Sequence, residues 1–128
     1  MTDVLSKENL IAKLSSGCKV KEDWRIGTEH EKFGFKKKDL RPITFDDIQK
    51  IFSELCSKYK WEKIIENRKI IGLKKDATSI TLEPGGQIEL SGAPVKNLFE
   101  TCKEVNLHQD ELNAVCRNYE IEFMGIGV

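Results

Sequence analysis

The sequence predicts an α+β fold in which an antiparallel sheet carries helices packed on one face. Three stretches place apolar residues at helical spacing, and short stretches between them alternate apolar and polar residues as strands do. Two pairs of these short stretches are joined by turn sequences, Asn67-Arg68 and Pro84-Gly85-Gly86, that are typical of hairpins. Strands separated by helices, together with local hairpins, indicate such a sheet.

The first half of the chain is predicted to hold two helices and one long strand. Helix one begins at Ser6 as N-cap and ends at Gly17, and a strand extends from Trp24 to Lys36. Thr44 caps helix two, with Asp47 three residues later near a capping-box position. The inward positions are Leu10, Ile11 and Leu14 in helix one and Ile48, Ile51, Phe52, Leu55 and Tyr59 in helix two.

The second half is predicted to contain two hairpins, a long helix and a final strand. The strands are expected at Glu62–Glu66, Ile70–Lys74, Ser79–Glu83, Gln87–Ser91 and Ile121–Val128. The helix extends from about Val95 to Tyr119. Its predicted inward positions are Leu98, Cys102, Val105, Leu112, Val115 and Cys116.

Composition limits the class of protein. The 128 residues suit one small domain, covering residues 1–128, or a piece of a larger one, and the 39% of hydrophobic residues is enough for a core. Twenty-one basic residues balance twenty-one acidic ones, so general electrostatic binding to nucleic acid or an anionic membrane is not expected. No apolar run approaches the roughly 18–20 residues of a membrane helix, and no membrane partner is predicted.

The cysteines and the start of the chain predict a cytoplasmic protein. Met1 to Val4 lack the basic start and apolar stretch of a secretory signal. The four cysteines form no Cys-x-x-Cys pair, and neither histidine is placed to complete a zinc site. Cys102 and Cys116 lie on one face of the predicted long helix, so we expect structural, buried thiols.

The end of the chain is abrupt. It stops at Gly127-Val128 in apolar sequence without a polar tail, and the predicted sheet is unfinished. This ending predicts a truncated polypeptide or one half of a split protein.

Two carboxylates occupy the same side of the predicted first strand. Alternation places Glu29 and Glu31 on one face and turns His30 to the other, where a structural role is expected. The two β-carbons are then about 7 Å apart, and charges at that separation repel by about 2 kcal/mol at an effective dielectric of about 20. One interpretation is that the face carrying Glu29 and Glu31 is exposed to solvent. Phe33 and Phe35 make the same face apolar, however, so a compensating divalent cation is predicted, with oxygen ligands selecting Mg²⁺ or Mn²⁺.

The second hairpin brings two more carboxylates together in this interpretation. Directly paired residues project to the same side of a sheet, so only an odd-numbered loop matches the faces of the two strands. A three-residue loop at 85–87 puts Glu83 opposite Glu89. If this hairpin neighbours the first strand, four glutamates converge on a site for more than one divalent ion, a type of site that often holds nucleotide phosphates.

Two long segments carry a family resemblance. Arg25–Phe35 (RIGTEHEKFGF) and Ser79–Pro94 (SITLEPGGQIELSGAP) closely resemble the plant and proteobacterial type of glutamate–cysteine ligase. The intervening WEKIIENRKIIGLKK and the helix containing TCKEVNLHQDEL are similar to it too, so the resemblance extends from about Leu10 to Val128. It implies part of a glutamine-synthetase-like catalytic fold, in which an antiparallel sheet is shaped into an active-site funnel.

The resemblance implies an ATP-dependent ligase that joins L-glutamate to L-cysteine and so makes γ-glutamylcysteine, the first step of glutathione synthesis. ATP phosphorylates the γ-carboxylate of glutamate, the cysteine amine attacks the acyl phosphate, and Mg²⁺ neutralises phosphate charge. By similarity Glu29, Glu31 and Glu89 are Mg²⁺ ligands, and Glu83 matches the neighbouring acidic position. No catalytic or nucleotide-binding residue is assigned.

Family members are several times longer than this chain. The C-terminal portion that they add supplies most nucleotide contacts and the basic residues that hold glutamate, so it is an expected partner. Two alternatives stay open: an inactive remnant or interaction fragment of such a ligase, and a related carboxylate–amine ligase with another acceptor.

Overall fold

A computed structural model of the chain describes residues 5–126 and contains one six-stranded sheet with three α-helices. Met1 to Val4 and the chain end Gly127-Val128, on which two of the sequence predictions rest, lie outside the described residues. The helices are α1 Lys7–Ser15, α2 Phe45–Tyr59 and α3 Leu98–Cys116. The strands are β1 Glu29–Lys36, β2 Glu62–Glu66, β3 Lys69–Lys75, β4 Thr78–Leu82, β5 Gln87–Ser91 and β6 Ile121–Met124.

The sheet has the strand order β2-β3-β4-β5-β1-β6, and every neighbouring pair is antiparallel. Three consecutive hairpins connect β2 to β5. Asn67 and Arg68 take the positive φ angles of a tight turn in the first, Asp76 does so in the second, and Gly85 and Gly86 do so in the third. The predicted α+β fold with an antiparallel sheet is confirmed. None of the helices within residues 5–126 is long and apolar enough to cross a membrane.

Both predicted N-caps are confirmed. The Ser6 hydroxyl accepts from the N–H of Asn9, whose side chain accepts from the N–H of Ser6. Thr44 and Asp47 make the same reciprocal pair at the start of α2. These contacts satisfy backbone donors that a helix leaves unpaired in its first turn, so the local sequence is sufficient to start each helix.

The core lies between one face of the sheet and the helices α2 and α3. The sheet contributes Leu73, Ile80, Ile88 and Leu90, which are at most 1% exposed. The helices contribute Ile48, Ile51, Phe52, Leu55, Leu112, Val115 and Cys116. We call this side the helix face and the other side the open face. The predicted inward positions of α2 are confirmed, with Tyr59 only partly buried.

The predicted inward face of α3 is wrong in its first half. Leu98 is 66% exposed and Cys102 is also exposed, so only Cys116 of that predicted pair is buried. The residues that face the sheet in this half are polar, with Glu104 and His108 bonded to sheet or sheet-flanking residues. The apolar pattern is therefore wrong for Leu98 and Cys102, whereas Val105 packs against the core as predicted. In this half of α3, hydrogen bonds contribute to holding the helix against the sheet, and an apolar pattern does not report them.

Two further predictions need correction. The first strand begins at Glu29 and not at Trp24, because the segment before it makes only an isolated bridge between Ile26 and Val95. The predicted apolar stripe of α1 is not buried, since α1 has no buried residue and Leu14 is 78% exposed. The final strand ends at Met124, earlier than predicted.

Candidate functional site

Glu31 and Glu89 lie directly opposite one another on the open face. The antiparallel pairing of β1 with β5 matches Glu31 to Glu89 and Glu29 to Ser91. Residues paired in this way project to the same side of the sheet. The strand order, with β5 next to β1, therefore pairs Glu31 with Glu89 and leaves Glu29 two residues away on the same face of β1.

His30 and Lys32, the neighbours of Glu31 along β1, project to the helix face. His30 pairs with Leu90 and Lys32 with Ile88, and both apolar partners belong to the core. The predicted orientation of His30, away from the carboxylates, is confirmed. Its imidazole still borders a recess of about 390 Å³ that Glu29 and Glu31 also line, where the backbone beyond β6 passes β1.

Glu83 does not lie opposite Glu89, so that predicted pairing is wrong. The loop has three residues as predicted, but it comprises Pro84–Gly86, and the N–H of Glu83 donates to the carbonyl of Gln87 at 2.9 Å. Glu89 instead pairs with Thr81. The register differs from the predicted one by two residues, which preserves the face of every side chain and moves Glu83 toward the loop end of the open face.

Neutral donors hold the paired carboxylates. Gln87 Nε2 donates to Glu31 Oε2 at 3.0 Å, and Ser91 Oγ donates to Glu89 Oε1 at 2.8 Å. The ion pairs found within residues 5–126 include none of the four predicted glutamates. Glu31 and Glu89 therefore face one another without an ion pair in this part of the chain, although the buried Lys32 ammonium is close enough for the charge of Glu89 to affect its pKa.

The described part of the chain does not bring all four glutamates into one cluster. Within it, no three acidic, histidine or cysteine side chains are placed to hold one metal ion. Glu31 and Glu89 form a facing pair, and Glu29 lies two residues before Glu31 on the same face of β1. Metal binding by Glu29, Glu31, Glu83 and Glu89 stays a prediction.

The open face becomes apolar beyond the carboxylates, as predicted. Phe33 and Phe35 follow Glu31 on the same face of β1, and with Met124, Leu40 and Pro42 they line a groove of about 320 Å³. A charged pair at the border of an apolar surface is less well solvated than a pair on a fully wet strand.

Sequence reasoning missed a buried polar cluster behind this site. Lys32 is fully buried on the helix face, and its Nζ donates to the His30 carbonyl and to His108 Nε2, both at 3.0 Å. Burial lowers the pKa of Lys32 to about 8, against an opposing effect of the Glu89 carboxylate. Burial, followed by the charge of Lys32, lowers the pKa of His108 to about 3. Strand alternation placed Lys32 inward, but only the fold reveals its partner 76 residues away.

Comparisons with known proteins agree with the resemblance in the sequence. Residues 25–128 match the family described as glutamate-cysteine ligase family 2. The chain is 55% identical over 127 residues to glutamate–cysteine ligase A, chloroplastic, of Oryza sativa subsp. japonica. It is 53% and 52% identical, over 126 residues each, to the chloroplastic glutamate–cysteine ligases of Brassica juncea and Arabidopsis thaliana.

These alignments cover 98–99% of the chain but only 24–26% of each relative. The chain therefore spans about a quarter of the length of the curated relatives that it matches. The resemblance seen in Arg25–Phe35 and Ser79–Pro94 is confirmed.

The cytoplasmic prediction is wrong. The names of the relatives from Oryza sativa, Brassica juncea and Arabidopsis thaliana all specify the chloroplast. The sequence criteria concerned a secretory signal and disulfide-forming cysteines, which separate secreted proteins from those of reducing compartments. They do not separate one reducing compartment from another.

Proposed function

The chain belongs to glutamate-cysteine ligase family 2, and from that premise we propose that it forms the metal-binding part of an ATP-dependent ligase. In this proposal the complete enzyme joins the γ-carboxylate of L-glutamate to the amine of L-cysteine and acts in the plastid. The observation that carries the proposal is the facing pair of Glu31 and Glu89 on the open face, with Glu29 beside it and none of the three in an ion pair within residues 5–126.

The donor set suits Mg²⁺ or Mn²⁺. Both ions prefer carboxylate oxygens, and the hydrogen bonds from Gln87 and Ser91 leave further lone pairs on Glu31 and Glu89. We assign Glu29, Glu31 and Glu89 as ligands, with Glu83 as an outer acidic group. When bound, the ion supplies charge neutralisation for the phosphates of ATP.

The chain's own residues set the position of these carboxylates. Gln87, 7% exposed, anchors Glu31 from the neighbouring strand, and Ser91 orients Glu89. A ligand held by a second residue loses less conformational entropy when it binds a metal, so these donors preorganise the pair. We further propose that nucleotide and glutamate contacts come from the three quarters of the ligase that this chain does not match.

Metal binding is tested with Mn²⁺, whose unpaired electrons broaden nearby amide resonances. We expect selective broadening at Glu29, Glu31 and Glu89 in the 128-residue chain, and at least tenfold weaker broadening in Glu31→Gln and Glu89→Gln. Glu66→Gln is the matched control, because Glu66 is an exposed glutamate on the edge strand β2. Broadening spread evenly over acidic residues, or unchanged in both variants, contradicts the metal assignment.

A second experiment tests the reaction. ADP release with ATP, glutamate and cysteine is measured for the chain alone and for the chain combined with the C-terminal portion of the rice relative. We expect release only in the combination, and less in its Glu89→Gln version. A folded combination without ADP release counts against a ligase part.

One observation favours a second candidate, an interaction fragment without catalysis. Large apolar side chains are exposed outside the core, including Leu14 at 78%, Trp24 at 63% and Phe99 at 82%. Such surfaces are typical of contacts with another chain. Binding to the C-terminal portion of the relative without Mn²⁺ binding and without ADP release favours this candidate over the ligase part.

A further inference from the structure

The ends of three neighbouring strands meet beneath the first half of α3. The registers that pair Ser91 of β5 with β4 on one side and with Glu29 of β1 on the other can be continued by one residue. This step brings Thr78, Gly92 and Thr28 into line, and the N–H of Gly92 donates to the Thr28 carbonyl at 2.7 Å. We call these three residues the strand-end row. Since Ser91 and Glu29 project to the open face, the strand-end row faces the helices.

Glu104 of α3 lies over the middle of the strand-end row. Its Oε1 accepts from Thr78 Oγ1 at 2.9 Å and from the N–H of Ala93 at 2.8 Å. A β-carbon on Gly92 would overlap Glu104 Oε2 and come within 3.2 Å of the Thr28 β-carbon, so the missing side chain of Gly92 makes room for the carboxylate. One carboxylate therefore bonds the start of β4 to the residues after β5 and lies close to the segment that leads into β1.

The strand-end row is adjacent in sequence to the proposed metal ligands. Glu29 directly follows Thr28, and Ser91 directly precedes Gly92. The Ser91 hydroxyl in turn donates to Glu89 at 2.8 Å. A shift of β5 against β1 at this row would change the separation of Glu29 and Glu89, and a metal site requires its ligands within about 0.5 Å of the binding geometry.

We propose that Glu104 is a positioning residue of the metal site, a role that rests on the proposed function of Glu29 and Glu89 as ligands. It fixes the spacing of the strand ends that carry these two carboxylates. Glu104 acts through the backbone, because its own carboxylate is on the helix face whereas both ligands project to the open face. The inner side of α3 is thereby connected to a site on the opposite side of the sheet.

The contacts of Glu104 indicate that its role depends on its acceptor oxygen and not on its charge. Glu104 forms no ion pair within residues 5–126, and its Oε1 accepts only from neutral donors. Its Oε2 and Thr28 Oγ1 are both buried without a hydrogen-bond partner in this part of the chain. A glutamine amide would keep the acceptor toward Thr78 and Ala93 and place N–H donors on the side of Thr28.

The test compares the Mn²⁺ affinity of variants of the 128-residue chain, measured by broadening of the amide resonances of Glu29 and Glu89. Glu104→Ala removes both hydrogen bonds, so we expect Mn²⁺ to bind about tenfold more weakly, as when a residue that orients a metal ligand is lost. Glu104→Gln keeps the acceptor oxygen and is expected to bind Mn²⁺ as the original chain does.

Gly92→Ala tests the same contact without removing the carboxylate. The added methyl group occupies the position of Glu104 Oε2 and displaces it, so weaker Mn²⁺ binding is expected here too. If Glu104→Ala does not fold, Gly92→Ala takes its place in the comparison.

Glu111→Ala is the matched control. Glu111 is a buried carboxylate of the same helix, and it accepts from Trp61 Nε1 at 2.7 Å and from Lys75 Nζ at 3.4 Å. Its loss is expected to lower Tm, as Glu104→Ala does, and to leave the Mn²⁺ affinity unchanged because neither partner belongs to the strand-end row. A residue that only stabilises the fold changes Tm and not the affinity.

Three results overturn the proposal. The first is an equal loss of Mn²⁺ affinity in Glu104→Ala and Glu111→Ala, which indicates general destabilisation. The second is an unchanged affinity in Glu104→Ala and Gly92→Ala. The third is a loss in Glu104→Gln as large as that in Glu104→Ala, which assigns the effect to charge.

Amide hydrogen exchange without metal distinguishes a failure of this proposal from a failure of the metal assignment. The N–H of Gly92 bonds across the strand-end row, so its exchange is expected to be faster in Glu104→Ala and unchanged in Glu111→Ala. If the original chain does not bind Mn²⁺, the proposed metal function fails. Faster exchange at Gly92 then still supports the role of Glu104 in spacing the strands, and unchanged exchange overturns it.

Discussion

Helices α1 and α2 begin in the same way and end up in different surroundings. Each starts at a reciprocal capping box, Ser6 with Asn9 and Thr44 with Asp47. Each also has apolar residues at helical spacing, yet α2 buries five residues and α1 buries none. Capping and spacing therefore report that a helix forms, whereas burial needs an opposing surface, which the sheet provides for α2 but not for α1.

The largest expected difference concerns truncation of apolar side chains. Phe52 in α2 is fully buried, so Phe52→Ala is expected to lower the free energy of unfolding by about 3–5 kcal/mol. Leu14 in α1 is 78% exposed, so Leu14→Ala is expected to change it by less than about 0.5 kcal/mol. Denaturant unfolding of both variants measures the contrast. Equal losses would show that α1 packs against a surface after all.

The second difference concerns pH. Burial would raise the pKa of Asp47, but hydrogen bonds from Lys36 and from the N–H and hydroxyl of Thr44 outweigh it and lower the pKa to about 2. A depressed folded-state pKa stabilises the fold above the unfolded-state value of about 3.8, and this contribution is lost as the pH falls toward 2. The corresponding cap residue of α1, Asn9, carries no charge and contributes no such dependence.

Asp47→Asn is therefore expected to cost about 2 kcal/mol at pH 7 and progressively less between pH 4 and pH 2. Unfolding curves at several pH values measure this convergence with the original chain. Asp46→Asn, an exposed change in the same helical turn, is the control. If the free energies of unfolding of Asp47→Asn and the original chain differ by the same amount down to pH 2, the Lys36 contact and the cap do not lower the pKa of Asp47.

The smallest expected effect is the difference in global stability between variants of the two N-cap residues. Thr44→Ala is expected to cost about 1 kcal/mol of global stability. Ser6→Ala removes the equivalent bond from a helix that buries nothing, so it should speed amide exchange within α1 and leave the unfolding midpoint unchanged. A shifted midpoint for Ser6→Ala would show that α1 unfolds together with the core.

Strand alternation predicted most of the candidate site. Period-two spacing placed Glu29 and Glu31 on one face of β1. In the hairpin of β4 and β5, an odd-numbered loop keeps the polar residues of both strands on one face, and this placed Glu89 on that polar face. The partner of Glu89 could not be chosen in this way. Registers that differ by two residues keep every face unchanged, so the loop conformation decided that Thr81, and not Glu83, lies opposite Glu89.

The sequence by itself determined the helix starts at Ser6 and Thr44, the tight turn at Asn67-Arg68 and the face of each glutamate. These features depend on neighbours within a few residues, through caps, φ preferences and alternation. The tertiary structure decided that β5 lies beside β1 and that the side of α3 bearing Glu104 and His108 is the inner one. Both depend on contacts between distant segments, and hydrogen bonds across such distances leave no periodic apolar signal in the sequence.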